Sequence, residues 1–156
     1  MPADRIVLRL ARTADAGAMA AMSRDFIEAG LGWRYSADRI VRLIGERDTC
    51  AIVAADGHGR VQGFAVMQFG DAHAHLVLLC VRPAQRRRRI GQRLVDWLLA
   101  SARVAGIESV TLELRADNDT ARAFYTRLGF AETTLVPGYY DARIPAQRMV
   151  LHLREP

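Results

Sequence analysis

Four consecutive arginines, Arg86-Arg87-Arg88-Arg89, stand directly before Ile90-Gly91-Gln92 and the most regular amphipathic stretch of the chain. They follow an apolar run that ends Leu79-Cys80-Val81. A strand that empties into a basic loop and then a helix makes an anion site. The first helical turn leaves backbone N–H groups unpaired, and its dipole favours negative charge there. Guanidinium groups add charge-assisted, two-point hydrogen bonds to phosphate oxygens. This pattern predicts a pyrophosphate cradle. The competing reading is an exposed basic run or a nucleic-acid patch, but no aromatic residues interleave with the arginines to stack bases. His73 and His75 flank one alanine and would share a strand face. Asp71 is the only acid at useful spacing, so no metal site is expected, and both histidines belong at a solvated strand end. His58 falls in a turn and His152 on the last strand. Cys50 and Cys80 lie in apolar runs without a CxxC pair and are read as small core residues.

The elements that must position these groups can be read from periodicity. Strands are expected at Arg5–Leu10, Thr49–Ala55, Val61–Gln68, Ala74–Val81, Ser109–Arg115, Phe130–Val136 and Arg148–Leu153. Met19, Met22, Ser23, Phe26 and Ile27 fall at helical spacing, and Ser36 caps a second helix carrying Ile40, Leu43 and Ile44. Gly91–Val104 is the clearest helix: Ile90, Leu94, Leu98 and Ala102 recur every fourth residue, and Gly106 ends it. Asp119–Leu128 is a short helix stopped by Gly129, and Pro137–Gln147 reads as a loop. The order β-α-α-β-β-β-α-β-α-β-β describes one mixed α/β domain over residues 1–156.

Composition agrees with a globular chain: 156 residues, 51% hydrophobic and 25% charged. No apolar run approaches the ~20 residues that span a bilayer, and Met1-Pro2-Ala3-Asp4-Arg5 has no signal pattern. The expectation is a soluble, cytoplasmic protein. All 22 basic residues are arginine and the net charge is +5, which suits a polyanionic partner such as a phosphorylated cofactor.

A second stretch, Leu112-Glu113-Leu114-Arg115-Ala116-Asp117-Asn118, leads into Ala121, Tyr125, Gly129 and Phe130. Together the two stretches resemble the GCN5-related N-acetyltransferases, the GNAT superfamily. Its acetyl-CoA loop reads Gln/Arg-x-x-Gly-x-Gly/Ala, matched by Arg86–Gly91. Its later signature, Asn-x-x-Ala-x-x-x-Tyr-x-x-x-Gly-Phe, is matched in register from Asn118 to Phe130. Twenty-seven residues separate Gly91 from Asn118, room for one helix and one strand. Within the superfamily the Glu113–Tyr125 spacing of twelve is similar to RimI-type N-terminal acetyltransferases. Two departures stand out. Arg89 occupies the position of the first loop glycine. Pro145-Ala146-Gln147-Arg148 replaces the Glu-Asp that RimI-type sequences usually place before the last strand.

The resemblance implies a GNAT fold: a central mixed, mostly antiparallel sheet of six to seven strands, helices on both faces, splayed between the fourth and fifth strands. It implies acetyl-CoA as cosubstrate, no metal, and direct transfer to a primary amine. Cys80, Val81, Arg86, Arg87, Arg88, Arg89, Ile90, Gly91, Gln92, Asn118, Ala121 and Tyr125 would hold the cofactor. Glu113 would be the general base and Tyr125 the general acid. Tyr139 and Tyr140, with Trp33 and Tyr35 from the loop between the first helices, would meet the acceptor. Arg89 must take the glycine's backbone or reroute the loop, weakening cofactor binding rather than abolishing it. The acceptor is a protein or peptide N-terminus, or alternatively a small amine (amino acid, polyamine or drug). A non-catalytic CoA-binding module is a further alternative. Neither membrane nor nucleic acid is an expected partner; the oligomeric state is not legible, and a homodimer is compatible with the sequence.

Overall fold

The structure is a computed structural model that describes residues 5–28, 34–86, 88–141 and 144–154, with the backbone alone for residues 139–141. Seven strands form one sheet in the order β1-β2-β3-β4-β5-β7-β6. These are β1 Val7–Leu10, β2 Thr49–Ala55, β3 Val61–Phe69, β4 His73–Val81, β5 Ser109–Arg115, β6 Ala131–Asp141 and β7 Ile144–His152. The helices are α1 Ala16–Met22, α2 Ala37–Gly45, α3 Ile90–Val104 and α4 Asp119–Arg127. Every neighbouring pair is antiparallel except β4 and β5, which α3 joins as a parallel crossover. The mixed, mostly antiparallel sheet with helices on both faces is the expected fold. Among the described residues no helix is long and apolar enough to cross a membrane.

Two cores sandwich the sheet. On one face α3 buries Ile90, Leu94, Val95, Leu98, Leu99 and Ala102 against Ala65, Met67, Ala74 and Leu76. Burying each such aliphatic side chain contributes roughly 1.5–3 kcal/mol. On the other face α1 and α2 bring Met19, Met22 and Ile40 against Val53, Phe64, Val66, Leu78 and Cys80. β4 serves both cores because its register against β3 shifts between Val66 and Met67, whose partners are Leu78 and Leu76. The extra residue, Val77, reverses the strand's faces, as a β-bulge must. Ala74 and Leu76 face α3, whereas Leu78 and Cys80 face α1 and α2. Gly63 lets the start of α3 close on the sheet: a Cβ there would lie 3.1 Å from the Cys80 carbonyl oxygen and 3.2 Å from Ile90 Cγ2.

Three expectations need correction. Pro137–Gln147 is not a loop; most of it belongs to the β6–β7 hairpin. β6 is the outer strand of the sheet, and an edge tolerates a proline without an N–H to donate. The irregularity survives as a register break between Val136 and Asp141, with Gly138 at φ 69°. Second, α1 does not run on as an α-helix. It widens into a π-helical turn, Ser23–Ile27, a feature frequent at functional sites. Third, His75 is not at a solvated strand end.

Candidate active site

β4 and β5 pair only at His73↔Ser109, Ala74↔Val110 and His75↔Thr111. Beyond those rungs β4 continues to Val81 and β5 to Arg115 without pairing to each other, so the sheet opens into the expected splay. A cleft of about 1320 Å³ fills the opening. Its walls are Leu76–Val81 of β4 and Leu112–Arg115 of β5, the start of α3, and Asn118, Ala121, Phe124 and Tyr125 around α4. Phe26, Glu28, Arg34 and Tyr35 close the side toward α1 and α2.

The basic end is built on the start of α3. Arg86, Arg89, Ile90, Gly91 and Gln92 line the cleft. Ile90 is 1% exposed and spends its side chain on the core. Arg89 holds the left-handed backbone, φ 58°, and is the only non-glycine among the described residues with positive φ. It therefore takes the conformation a glycine would take, at a cost of order ~1 kcal/mol, and no side chain caps α3. Arg88 is not among the cleft residues and donates to Gln85 Oε1 at 2.8 Å. Arg87 lies outside the described residues.

α4 is anchored before it delivers Tyr125. Asn118 caps it, Oδ1 accepting from the Ala121 N–H at 3.1 Å. Arg122 donates to the Ala116 carbonyl and pairs with Asp119 at 3.0 Å and Glu132 at 2.7 Å. Tyr125 is wedged edge-on between Phe124 and Phe130, with centroids 5.1 and 5.6 Å away. That packing fixes the ring at the cleft wall.

Glu113 is nearly enclosed, its side chain 8% exposed. Oε1 accepts from Arg148 Nε at 3.0 Å, and Oε2 lies 2.8 Å from His75 Nε2. His75 Nδ1 is in turn 2.8 Å from Thr111 Oγ1. Sequence reasoning missed both His75 and Arg148 as site residues. The signal for His75 was the β4–β5 register, and for Arg148 its place opposite Glu113 in β7. Glu28 was missed too. It is 7% exposed, accepts from Ser23 Oγ at 2.8 Å, and takes the N–H groups of Arg34 and Tyr35 at 2.5 and 3.4 Å. It thus holds both ends of the α1–α2 connection. Tyr35 lines the cleft under the Arg39 guanidinium, 4.4 Å from its ring centroid. Trp33 lies outside the described residues; Tyr139 and Tyr140 are in β6, and their side chains lie outside what is described. Cys80 and Val81 line the cleft. The Cys80 side chain turns to the α1 core, where burial pushes its thiol up to about 12. Among the described residues no His, Cys, Asp or Glu cluster could hold a metal.

A splayed β4–β5 sheet with an arginine-flanked helix start at its mouth is the architecture of a GNAT-fold acyltransferase, and the comparisons agree on that class. Residues 19–130 match the family model described as "Acetyltransferase (GNAT) family". The chain belongs to that family. It is 34% identical over 97 residues to the [ribosomal protein bS18]-alanine N-acetyltransferase of Escherichia coli (strain K12), a match covering 60% of this chain and 66%, a little under two thirds, of that relative. The crystal structure of Ard1 from Thermoplasma volcanium superposes with TM-score 0.84 at 28% identity, over 96% of this chain and 99% of that one. Arabidopsis thaliana NAA60, solved in complex with acetyl-CoA, shares the fold with TM-score 0.83 at 18% identity, over 96% and 99% of the two chains.

Proposed function

We propose that this acetyltransferase takes acetyl-CoA as cosubstrate and moves the acetyl group directly to a primary amine, a protein or peptide N-terminus. The carrying observation is the open β4–β5 splay, with Tyr125 at one wall and Glu113 at the other. The pantetheine arm would lie between the strands as a short extra strand, using backbone groups of Leu79–Val81 and the side chains of Asn118 and Ala121. Arg86, Arg89, the neighbouring Arg87 and Arg88, and the N–H groups of Gly91 and Gln92 would hold the pyrophosphate. Trp33, Tyr35, Tyr139 and Tyr140 would meet the acceptor.

The chemistry follows from that placement. A free α-amine has a pKa near ~8, so the acceptor arrives largely protonated at neutral pH and must lose a proton. The Glu113 carboxylate receives it, directly or through water. The amine then attacks the thioester carbonyl, and a β4 backbone N–H toward the open edge stabilises the oxyanion. Tyr125 donates a proton to the departing thiolate. Holding both substrates in line supplies the largest entropic part of the rate. The N-terminal acceptor is supported by the similarity to the bS18-alanine N-acetyltransferase.

Calorimetric titration with acetyl-CoA, desulfo-CoA and ADP tests the cradle, and mass spectrometry tests transfer. The acceptor panel is a peptide with a free N-terminal alanine, a blocked peptide carrying lysine, and spermidine. Acetylation of the free-terminus peptide alone is expected. Acetylation of spermidine alone would move the acceptor to small amines. Binding without acetylation of any member would leave a CoA-binding module.

A further inference from the structure

Two acids line the cleft, Glu28 and Glu113, and both are nearly enclosed. Glu113 meets Arg148 and His75. Glu28 is held without a cation. Its carboxylate accepts from Ser23 Oγ at 2.8 Å and from the N–H groups of Arg34 and Tyr35 at 2.5 and 3.4 Å. Burying a carboxylate is costly unless its oxygens are hydrogen-bonded, and here every donor comes from the α1–α2 connection. The π-helical turn makes the closure possible: the Glu28 N–H reaches the Ser23 carbonyl at 2.7 Å, which brings the two side chains together. Glu28 is therefore spent on the chain itself, and the backbone of Arg34 and Tyr35 is fixed against the end of α1.

What this closure presents is a guanidinium. Arg34 lines the cleft and is exposed, and among the described residues its side chain has no partner. Arg39 adds a second cation over Tyr35 and donates to the Arg34 carbonyl at 3.4 Å. On β7 the Arg148 side chain is 43% exposed and engages Glu113 through Nε. The carboxylates on this side are enclosed and the guanidiniums are open, so an incoming acceptor meets positive charge. The acids nearby do not offset it. Asp25 is held by Arg24 at 2.9 Å, Glu46 by Thr49 at 3.1 Å, and Asp38 is exposed on the first turn of α2, outside the cleft. The other arginines of the cleft are placed elsewhere: Arg86 and Arg89 at the start of α3, Arg115 on Asp117 at 3.2 Å, and Arg127 in the last turn of α4.

We propose that the acceptor is an acidic peptide N-terminus, that Arg34 takes an Asp or Glu carboxylate from its second or third residue, and that Glu28 is the positioning residue that sets Arg34 in place. This rests on the transferase reading above. A guanidinium binds a carboxylate through two parallel, charge-assisted hydrogen bonds. Arg34 and Glu113 stand on different walls of the cleft, so the anion that meets Arg34 is removed from the amine that meets Glu113. An extended peptide advances ~3.3 Å per residue, which gives a side chain one or two residues along the reach that the terminal residue lacks.

The test is kcat and KM at saturating acetyl-CoA for matched peptides that begin with alanine and continue Asp-Glu, Asn-Gln or Arg-Arg, with free aspartate and glutamate as small acceptors. Wild type should favour the acidic peptide over its amide about tenfold, through KM, the worth of one charge-assisted hydrogen bond. The gap should shrink as salt rises from about 0.05 M to about 1 M. Arg34→Gln should erase it. Arg34→Glu should turn it round in favour of the Arg-Arg peptide, an outcome that misfolding cannot produce. Glu28→Gln puts an amide donor among donors that need an acceptor; it should raise KM for the acidic peptide and narrow the gap, while calorimetry shows acetyl-CoA affinity retained. A merely structural role for Glu28 would lower kcat for all three peptides alike. Equal kcat/KM for the acidic peptide and its amide, or a gap that survives Arg34→Gln, overturns the proposal and leaves the transferase reading standing. Acetylation of free aspartate or glutamate in place of every peptide overturns it too, moving the carboxylate to a small acceptor. No acetylation of any peptide or amine overturns the transferase reading and this proposal with it.

Discussion

Glu113 and Tyr125 reach one cleft from opposite faces of the same sheet. Leu112 and Leu114 pack in the α3 core with Tyr125, so Glu113 between them points to the α1–α2 side. Only the missing β4–β5 pairing beyond Thr111 lets the two side chains address a common space. In the proposed mechanism this arrangement would separate the proton leaving the amine from the proton delivered to the thiolate.

Tyr125→Phe keeps the edge-on contacts with Phe124 and Phe130 and removes the hydroxyl alone. Turnover should fall about 10²-fold, with little change in KM for acetyl-CoA. Unaltered turnover in steady-state kinetics would remove the general-acid role.

Glu113→Gln removes the negative partner of both His75 and Arg148. Its defect should be largest at low pH, where the amine arrives protonated, and should shrink as pH approaches the amine's own value near ~8. A defect of equal size from pH ~6 to ~9 would argue that Glu113 only holds structure.

Arg89→Gly keeps the left-handed backbone at φ 58° and removes the guanidinium. Relief of strain is offset by the entropy glycine adds to the unfolded chain, so stability should change by less than about 1 kcal/mol. Acetyl-CoA affinity should weaken about tenfold, the worth of one charge-assisted hydrogen bond. Arg89→Val should instead lower Tm by several degrees, since a β-branched residue resists this backbone. Calorimetry and a thermal melt separate the two effects; an unchanged Kd for Arg89→Gly would place the guanidinium away from the pyrophosphate.

Cys80 lines the cleft, yet burial holds its thiol protonated, with its titration pushed up to about 12. Iodoacetamide at pH 8 should leave it unmodified, and Cys80→Ala should retain turnover. Alkylation that tracks loss of activity would instead point to a covalent enzyme intermediate.

Asp15 joins β1 to α1. It accepts two hydrogen bonds from Arg9, at 2.7 and 2.9 Å, and one from the Arg12 N–H at 2.7 Å. The Arg9 bonds, chiefly, hold its carboxyl below the usual range against the opposing effect of burial. A depressed folded-state value stabilises the protein above the unfolded value, near ~3.9, and that stability is lost as pH falls through the folded value. Asp15→Asn should cost about 1–3 kcal/mol at neutral pH. In denaturant melts the gap from wild type should close below that window; a gap independent of pH would assign the loss to packing.

Local signals carried much of the architecture. α3 was legible because Ile90, Leu94, Leu98 and Ala102 repeat with the period of a helix and are all buried. The cap at Ser36 was legible because its short polar side chain accepts from the Arg39 N–H. β4 concealed its bulge: in an unbroken apolar run, the reversal at Val77 leaves no change of residue type. Pro137 and Gly138 misled in the other direction, because turn residues on an edge strand look the same as turn residues in a loop.

By itself, the sequence determined the order of elements, the basic helix start, and the Glu113–Tyr125 spacing. Those are properties of short segments, set by side-chain period, capping and backbone preference. The tertiary structure alone decided that His75 meets Thr111, 36 positions away, and that Glu113 meets Arg148, 35 positions away. Those contacts depend on how strands far apart in the chain align. The α3 crossover and the two cores set that alignment, and no local propensity encodes it.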